Sequence, residues 1–145
     1  MKNSGEIIII EDDQDDREFL DIVFADVLEE YQYTNKLVFL KDGAEALEYL
    51  SKTNNNPFMI ISDINMPKMD GFQLRDRIFK DDILNEKCIP YIFLTTSGSN
   101  PEQLKKAYKL SIQGFFTKPL NFDDYKTLVH EILNYWKRSL TPTAV

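Results

Sequence analysis

The chain has 145 residues, a length typical of one domain with a substantial buried core. Hydrophobic residues make up 43% of it and charged residues 28%, which is close to the globular average and argues against a disordered chain. Aspartate and glutamate number 24 against 17 lysines and arginines, so the net charge is -7. This balance excludes general nucleic-acid binding, because that requires a basic surface.

Cysteine content and the N-terminal sequence indicate the compartment. The single cysteine, Cys88, cannot form an internal disulfide, which is typical of a reducing environment. The apolar run Ile7–Ile10 is too short for a secretory signal and far too short to span a bilayer. We therefore expect a cytoplasmic protein with no membrane contact.

Short apolar runs predict five strands. They cover residues 7–10, 37–40, 58–61 and 91–94, with a weaker run at 114–117. None of the four stronger runs alternates apolar with polar residues, a pattern typical of parallel strands that are covered on both faces.

Amphipathic segments between these runs predict helices. The first spans Phe19 to Leu28 and the last spans Tyr125 to Trp136, both with apolar residues at helical spacing. Residues suited to start a helix mark the others: Asp42 with Glu45, Asp70 with Gln73, Asn100 before Pro101, and Asn121. Residues 53–57 and 80–89 are predicted to be loops.

The alternation of strand and helix predicts an α/β fold. Five such units with right-handed crossovers favour a flavodoxin-like (βα)5 doubly wound sandwich, with a parallel five-stranded sheet in the order 2-1-3-4-5. We expect one domain, with a core of about residues 6–138 and a flexible tail at 139–145.

Polar residues follow the predicted strands at their carboxyl ends. Glu11 and Asp12 follow the first strand, Asp63 the third, Thr95 the fourth and Lys118 the fifth. Ligands of open α/β sheets bind at this edge, near the point where the strand order reverses. We expect these side chains to converge there.

Such a set of side chains suits a cation and a phosphate. Several close carboxylates repel one another unless a cation lies among them, and oxygen ligands alone favour Mg²⁺ or Mn²⁺. A lysine and a hydroxyl beside that cation favour an anion. One carboxylate could then act as a nucleophile and form an acyl phosphate.

The motif D-x-x-M-P-x-M-D-G, from Asp63 to Gly71, resembles that of the receiver domain of two-component response regulators, the CheY-like family. Ile10-Glu11-Asp12, Thr95 and Lys118-Pro119 extend the resemblance, which covers about residues 6–136. Thr96-Ser97 and the long loop at 80–89 are similar to the stand-alone receivers that pair with phytochrome-like histidine kinases.

The resemblance implies a phosphorylation site and a metal site. Asp63 would be the phosphorylated aspartate. Glu11, Asp12 and Asp63 would hold Mg²⁺ together with the backbone carbonyl of Asn65. Glu11 stands where aspartate is commoner, and Asp13 is a third acid, so which two acids face the metal stays open.

The resemblance also implies a conformational switch. Thr95 and Lys118 would contact the phosphoryl oxygens, and the bond between Lys118 and Pro119 would be cis. Thr95 would move on phosphorylation, and Phe115, at the position of the family's switch aromatic, would follow it. Asp15, Asp16 and His130 are interpreted as surface residues without such a role.

The resulting prediction is a stand-alone signalling module and not an enzyme, apart from self-catalysed phosphotransfer and slow autodephosphorylation. Its partners would be a sensor histidine kinase or a histidine phosphotransfer protein and an unknown downstream protein. The last two helices and the fifth strand would carry the output surface, with Lys105, Tyr108, Lys109, Phe115 and Lys126. A homodimer through Tyr108, Phe115 and Trp136 stays open.

Other functions are less well supported by the residues. A haloacid-dehalogenase-like phosphohydrolase usually has a second aspartate two residues after its nucleophile, where this chain has Asn65. A scaffold that works without phosphorylation would not need Asp63 or Lys118. No glycine-rich nucleotide-binding motif follows the first strand.

Overall fold

Five parallel strands form the centre of the molecule. The computed structural model describes residues 4–54, 56–96 and 100–142. The strands lie in the order β2-β1-β3-β4-β5, which confirms the predicted flavodoxin-like fold. Their bounds are β1 Ile7–Ile10, β2 Leu37–Leu40, β3 Met59–Ser62, β4 Tyr91–Thr95 and β5 Gly114–Thr117.

Helices cover both faces of the sheet. Those in the described residues are α1 Gln14–Glu30, α2 Gly43–Lys52, α3 Gly71–Lys80, α4 Asp82–Glu86, α5 Pro101–Lys109 and α6 Phe122–Arg138. The short α4 corrects the prediction of a continuous loop at 80–89. The Asp81 carboxylate starts it by accepting hydrogen bonds from the backbone N–H groups of Ile83 and Leu84, both at 3.0 Å.

Strand β1 shows why an unbroken apolar run is needed. Its four isoleucines are all buried, but they serve two separate cores. Ile8 and Ile10 pack with α2, α3, α4 and α5, whereas Ile7 and Ile9 pack with α1 and α6. Because successive side chains of a strand point to opposite faces, a central strand between two layers must be apolar at every position.

The predicted helix starts are confirmed. Asp42, Asp70, Asn100 and Asn121 each accept a hydrogen bond from the backbone N–H three residues later. At Asp70 the Gln73 side chain completes the reciprocal capping box. These caps fix where each loop at the carboxyl edge of the sheet ends and its helix begins.

Helix α6 and the residues that follow it complete the fold. α6 packs along α1, and His130 is half-buried because its ring stacks on that of Tyr31, with centroids 3.7 Å apart; it is therefore not the surface residue predicted. Of the predicted tail, residues 139–142 are described and 143–145 lie outside the described residues. Within the described ranges, no helix is both long and apolar enough to cross a membrane.

Candidate functional site

Lys118 is the centre of a cluster of carboxylates at the carboxyl edge of the sheet. Its Nζ lies 2.6 Å from Glu11 Oε1, 3.2 Å from Asp63 Oδ2 and 3.4 Å from Asp16 Oδ2. The side chains of Lys118, Glu11 and Asp63 are at most 8% exposed, whereas Asp16 is 47% exposed. In the sequence, Lys118 is 107 positions from Glu11 and 55 positions from Asp63. The structure brings these three side chains together, as predicted.

Asp63 is held in one orientation by the backbone that follows β3. Its Oδ1 accepts hydrogen bonds from the N–H groups of Ile64, at 2.6 Å, and Asn65, at 3.4 Å. The other oxygen, Oδ2, faces Lys118. Gly71 lies against this loop, since a Cβ on it would come within 2.5 Å of the Asp63 carbonyl oxygen. Only glycine allows helix α3 to start this close to the aspartate.

Glu11 is positioned by the start of α1. Arg17 Nη1 donates to the backbone carbonyls of Glu11, at 2.7 Å, and Asp12, at 2.9 Å. The Asp13 carboxylate accepts from the backbone N–H of Asp16 and caps α1. Among the three consecutive acids, Glu11 is thus buried in the site and Asp13 serves as a helix cap.

The predicted metal ligands differ in their burial. Glu11 and Asp63 converge on the Lys118 ammonium, while Asp12 and Asn65 are exposed. Over the described residues, no three acidic, histidine or cysteine side chains lie in a group that could hold a metal ion. In this structure Lys118 Nζ is the cation between the two buried carboxylates.

Burial and charge shift the ionisation of this cluster. Burial raises the pKa of Glu11 to about 7, although the hydrogen bond from Lys118 opposes the shift. Burial alone would lower the pKa of Lys118, but the hydrogen bond to Glu11 and the charge of Asp63 outweigh it and raise that pKa above its usual value. Lys118 is therefore an ammonium at neutral pH, where Glu11 titrates.

Thr95 and Phe115 lie beside the cluster on β4 and β5. Thr95 is fully buried, its carbonyl accepts a 2.8 Å hydrogen bond from the Lys118 N–H, and its Oγ1 has no hydrogen-bond partner in the described part of the chain. Phe115 is half-buried and meets the ring of Phe93 edge-on at 5.9 Å. A buried hydroxyl without a hydrogen-bond partner is costly, so the Thr95 hydroxyl is suited to form a new hydrogen bond.

The structure corrects or extends three expectations. Asp16, interpreted as helix surface, is 47% exposed and also contacts Lys118. The Lys118–Pro119 bond is trans, as the described chain has no cis peptide bond; trans is the lower-energy isomer by about 0.5–1 kcal/mol, and Lys118 reaches both buried carboxylates from it. Lys126 pairs with Asp26 and Glu30 of α1, so it is not free on an output surface.

Comparison with known proteins agrees with this geometry. The family model of the response regulator receiver domain matches residues 7–130. The chain belongs to this family. The probable methanogenesis regulatory protein FilR2 of Methanothrix harundinacea is 35% identical over 108 residues, which is 72% of this chain and 68% of that protein.

Two other relatives cover nearly the whole chain. Response regulator Rcp1 of Synechocystis is 29% identical over 93% of this chain and 90% of its own length. A crystal structure of its Mn²⁺-bound form superposes with a TM-score of 0.76 at 28% identity, covering 94% of this chain and 97% of that one. The phosphorylated cyanobacterial phytochrome response regulator RcpA superposes with a TM-score of 0.80 at 27% identity, covering 94% and 96%.

Proposed function

We propose that this receiver domain is a phosphoacceptor of a histidine–aspartate phosphorelay in the cytoplasm and that Asp63 carries the phosphoryl group. The observation that carries the proposal is the contact of Lys118 Nζ with Glu11 and Asp63 inside a buried cluster. The donor would be a phosphohistidine of a sensor histidine kinase or a histidine phosphotransfer protein. The similarity to RcpA, which is named as a cyanobacterial phytochrome response regulator, favours a phytochrome-like kinase.

The transfer needs a fixed carboxylate and a place for the new charge. A carboxylate oxygen of Asp63 forms a bond to phosphorus as the bond from phosphorus to the histidine nitrogen breaks, and that nitrogen takes up a proton. Ile64 and Asn65 hold Oδ1 through their N–H groups, which leaves Oδ2, the oxygen that faces Lys118, as the attacking atom. Lys118 then pairs with the phosphoryl oxygens, an electrostatic role that needs no other general base.

The donor set suits Mg²⁺, with Mn²⁺ as a substitute. Carboxylates of Glu11, Asp12 and Asp63 and the carbonyl of Asn65 offer only oxygen, which hard cations prefer. The Lys118 ammonium pairs with both Glu11 and Asp63, so this place already accommodates a positive charge, and a Mn²⁺-bound form of Rcp1 is known. When bound, the ion would neutralise the charge of the carboxylate and of the incoming phosphoryl group.

Thr95 and Phe115 would convert phosphorylation into a change of surface. The partnerless Thr95 hydroxyl would donate to a phosphoryl oxygen, and Phe115 would move towards the space that Thr95 leaves. Lys105, Tyr108 and Lys109 of α5 are exposed and would form the surface that a downstream protein reads. Trapping the activated form with beryllium fluoride, followed by a pull-down, would identify that protein.

A phosphohydrolase is the second candidate function. The number of catalytic turnovers distinguishes it from a phosphoacceptor. Asn65 is exposed two residues after Asp63, and an amide cannot serve as the acid and base that fast hydrolysis of an acyl phosphate requires. We therefore expect one phosphoryl group per chain and slow loss of it. Sustained turnover on phosphate esters would favour the hydrolase.

A small phosphodonor tests the phosphoacceptor directly. Incubation with acetyl phosphate and Mg²⁺ should add one acid-labile phosphoryl group, measured by intact mass. Asp63→Asn should abolish the addition. Asp21→Asn, on the exposed side of α1, is the matched control and should react like the unmodified chain. Equal labelling of the Asp63→Asn variant at the same site would refute the assignment.

A further inference from the structure

A second buried cation lies at the opposite edge of the sheet. Arg75 of α3 is only 6% exposed. It lies near Tyr91, the first residue of β4, and near Ser111, which precedes β5. This is the amino edge of the strands, so the arginine is outside the cluster around Asp63.

Protein contacts orient the guanidinium but do not neutralise it. Nε donates to the Leu110 carbonyl and Nη2 to the Ser111 carbonyl, both at 2.9 Å. The rings of Phe79 and Tyr91 lie 5.4 Å and 5.3 Å from its central carbon. Within the described residues no carboxylate pairs with it and Nη1 has no acceptor. Burial lowers the pKa of Arg75, but an arginine stays charged at physiological pH.

Beside this guanidinium is a cavity of about 340 Å³, a volume at the lower end of the range of small-molecule sites. Among the described residues that line it, Arg75 is the only charged one, although the chain as a whole has a net charge of -7. Most of the wall is apolar and includes Ile78, Phe79, Leu84, Trp136 and Leu140.

We propose that this cavity binds a small organic anion with one carboxylate and an apolar body. The carboxylate pairs with the free side of the Arg75 guanidinium, and the apolar body packs against Phe79 and Trp136. One guanidinium matches one carboxylate in charge and in planar geometry. A phosphate carries more charge than this single cation balances, and the described residues that line the cavity include no second cation.

The chain has built-in reporters for this site. Its one tryptophan and its one cysteine, Trp136 and Cys88, both line the cavity. Cys88 is exposed at the rim and has a free thiol. Binding should therefore change the tryptophan fluorescence and slow the reaction of Cys88 with iodoacetamide, a neutral reagent that the arginine does not attract.

Benzoate and benzamide form a matched pair of probes, since they share the ring and differ in charge. We expect benzoate to change Trp136 fluorescence in a saturable way and to protect Cys88. Benzamide should bind at least about tenfold more weakly, because a hydrogen bond between charged groups contributes more than one to a neutral amide. Arg75→Lys should weaken benzoate binding by a similar factor, since lysine loses the planar fork. Inorganic phosphate should not compete.

The outcomes separate this proposal from its alternatives. Equal binding of benzoate and benzamide would show an apolar cavity without a carboxylate site. If inorganic phosphate competes at the concentration used for benzoate, the cavity is a phosphate site and the proposed carboxylate ligand is wrong. If benzoate gives no signal at all, the proposed site is rejected. If Arg75→Lys does not fold, the comparison of the two probes on the unmodified chain still decides. Phosphorylation of Asp63 enters none of these measurements.

Discussion

The molecule contains two buried cations at opposite edges of one sheet, and they are stabilised in different ways. Lys118, at the carboxyl edge, contacts three carboxylates. Arg75, at the amino edge, contacts two carbonyl groups and two aromatic rings, and no acid of the described chain pairs with it. Both side chains are largely buried, so each charge needs compensation.

The difference separates a cation that pairs with carboxylates from a cation that backbone carbonyls and aromatic rings orient without neutralising it. Glu11 and Asp63 repel each other, and the Lys118 ammonium pairs with both of them, at the place where we propose that a metal ion and a phosphoryl group bind. Arg75 is fixed by its two hydrogen bonds and by two rings, and it joins α3 to the end of α5. Three substitutions test this contrast, ordered by expected effect.

Replacing Lys118 should have the largest effect on stability. Lys118→Met leaves Glu11 and Asp63 buried without their cation, which we expect to lower the free energy of unfolding by about 3–5 kcal/mol at neutral pH. Urea unfolding measures it, with Lys105→Met, an exposed lysine, as the control. Loss below about 1 kcal/mol would mean that the cluster does not depend on the ammonium.

The pH dependence sharpens this prediction. Burial raises the folded-state pKa of Glu11 to about 7 from 4.5, so the folded chain holds a proton that the unfolded chain releases, and stability falls as the pH rises between these values. Without Lys118 the pKa rises further. The difference between Lys118→Met and the parent should therefore grow from pH 5 to pH 8.

Replacing Arg75 should cost less and should not depend on pH. Arg75→Met removes two charge-assisted hydrogen bonds but also relieves the burial of a charge, so we expect a loss of about 1–2 kcal/mol in urea unfolding. The loss should be the same at pH 5 and pH 8. A loss as large as that of Lys118→Met would remove the contrast between the two sites.

Replacing Asp16 should have the smallest effect. Its carboxylate is 47% exposed and lies 3.4 Å from Lys118, and exposed ion pairs contribute about 0–1 kcal/mol. Asp16→Asn should change the free energy of unfolding by less than about 1 kcal/mol, and added salt should reduce the difference. Asp21→Asn is the matched control. A larger effect would make Asp16 an integral member of the cluster.

Sequence reasoning predicted the scaffold well because its signals are local. The isoleucines of β1 indicate a buried central strand, and Asp42, Asp70, Asn100 and Asn121 each mark a helix start. Because ligands of open α/β sheets bind at the carboxyl edge, the sequence also predicts that Glu11, Asp63 and Lys118 lie together there. The short α4 was missed because one turn and a half of helix has no clear apolar period.

Contacts that depend on side-chain direction were not predictable in the same way. Asp16 lies in the first turn of α1, which Asp13 caps, and its side chain reaches Lys118 from there. Arg75 is buried along with Leu74 and Ile78 of the same helix, whereas a charged residue next to an apolar stripe is usually expected to be exposed. The trans bond before Pro119 has no signal in the composition of the chain.

A magnesium titration of the ¹⁵N-labelled chain tests most directly whether the acids and Lys118 form one cation site. We expect saturable shifts of the backbone amides of Glu11, Asp63, Asn65 and Lys118, and unchanged amides of Arg75 and Ser111 at the other edge. Asp63→Asn should weaken this binding. Absence of shifts at these four residues, or equal shifts at both edges of the sheet, would contradict the account.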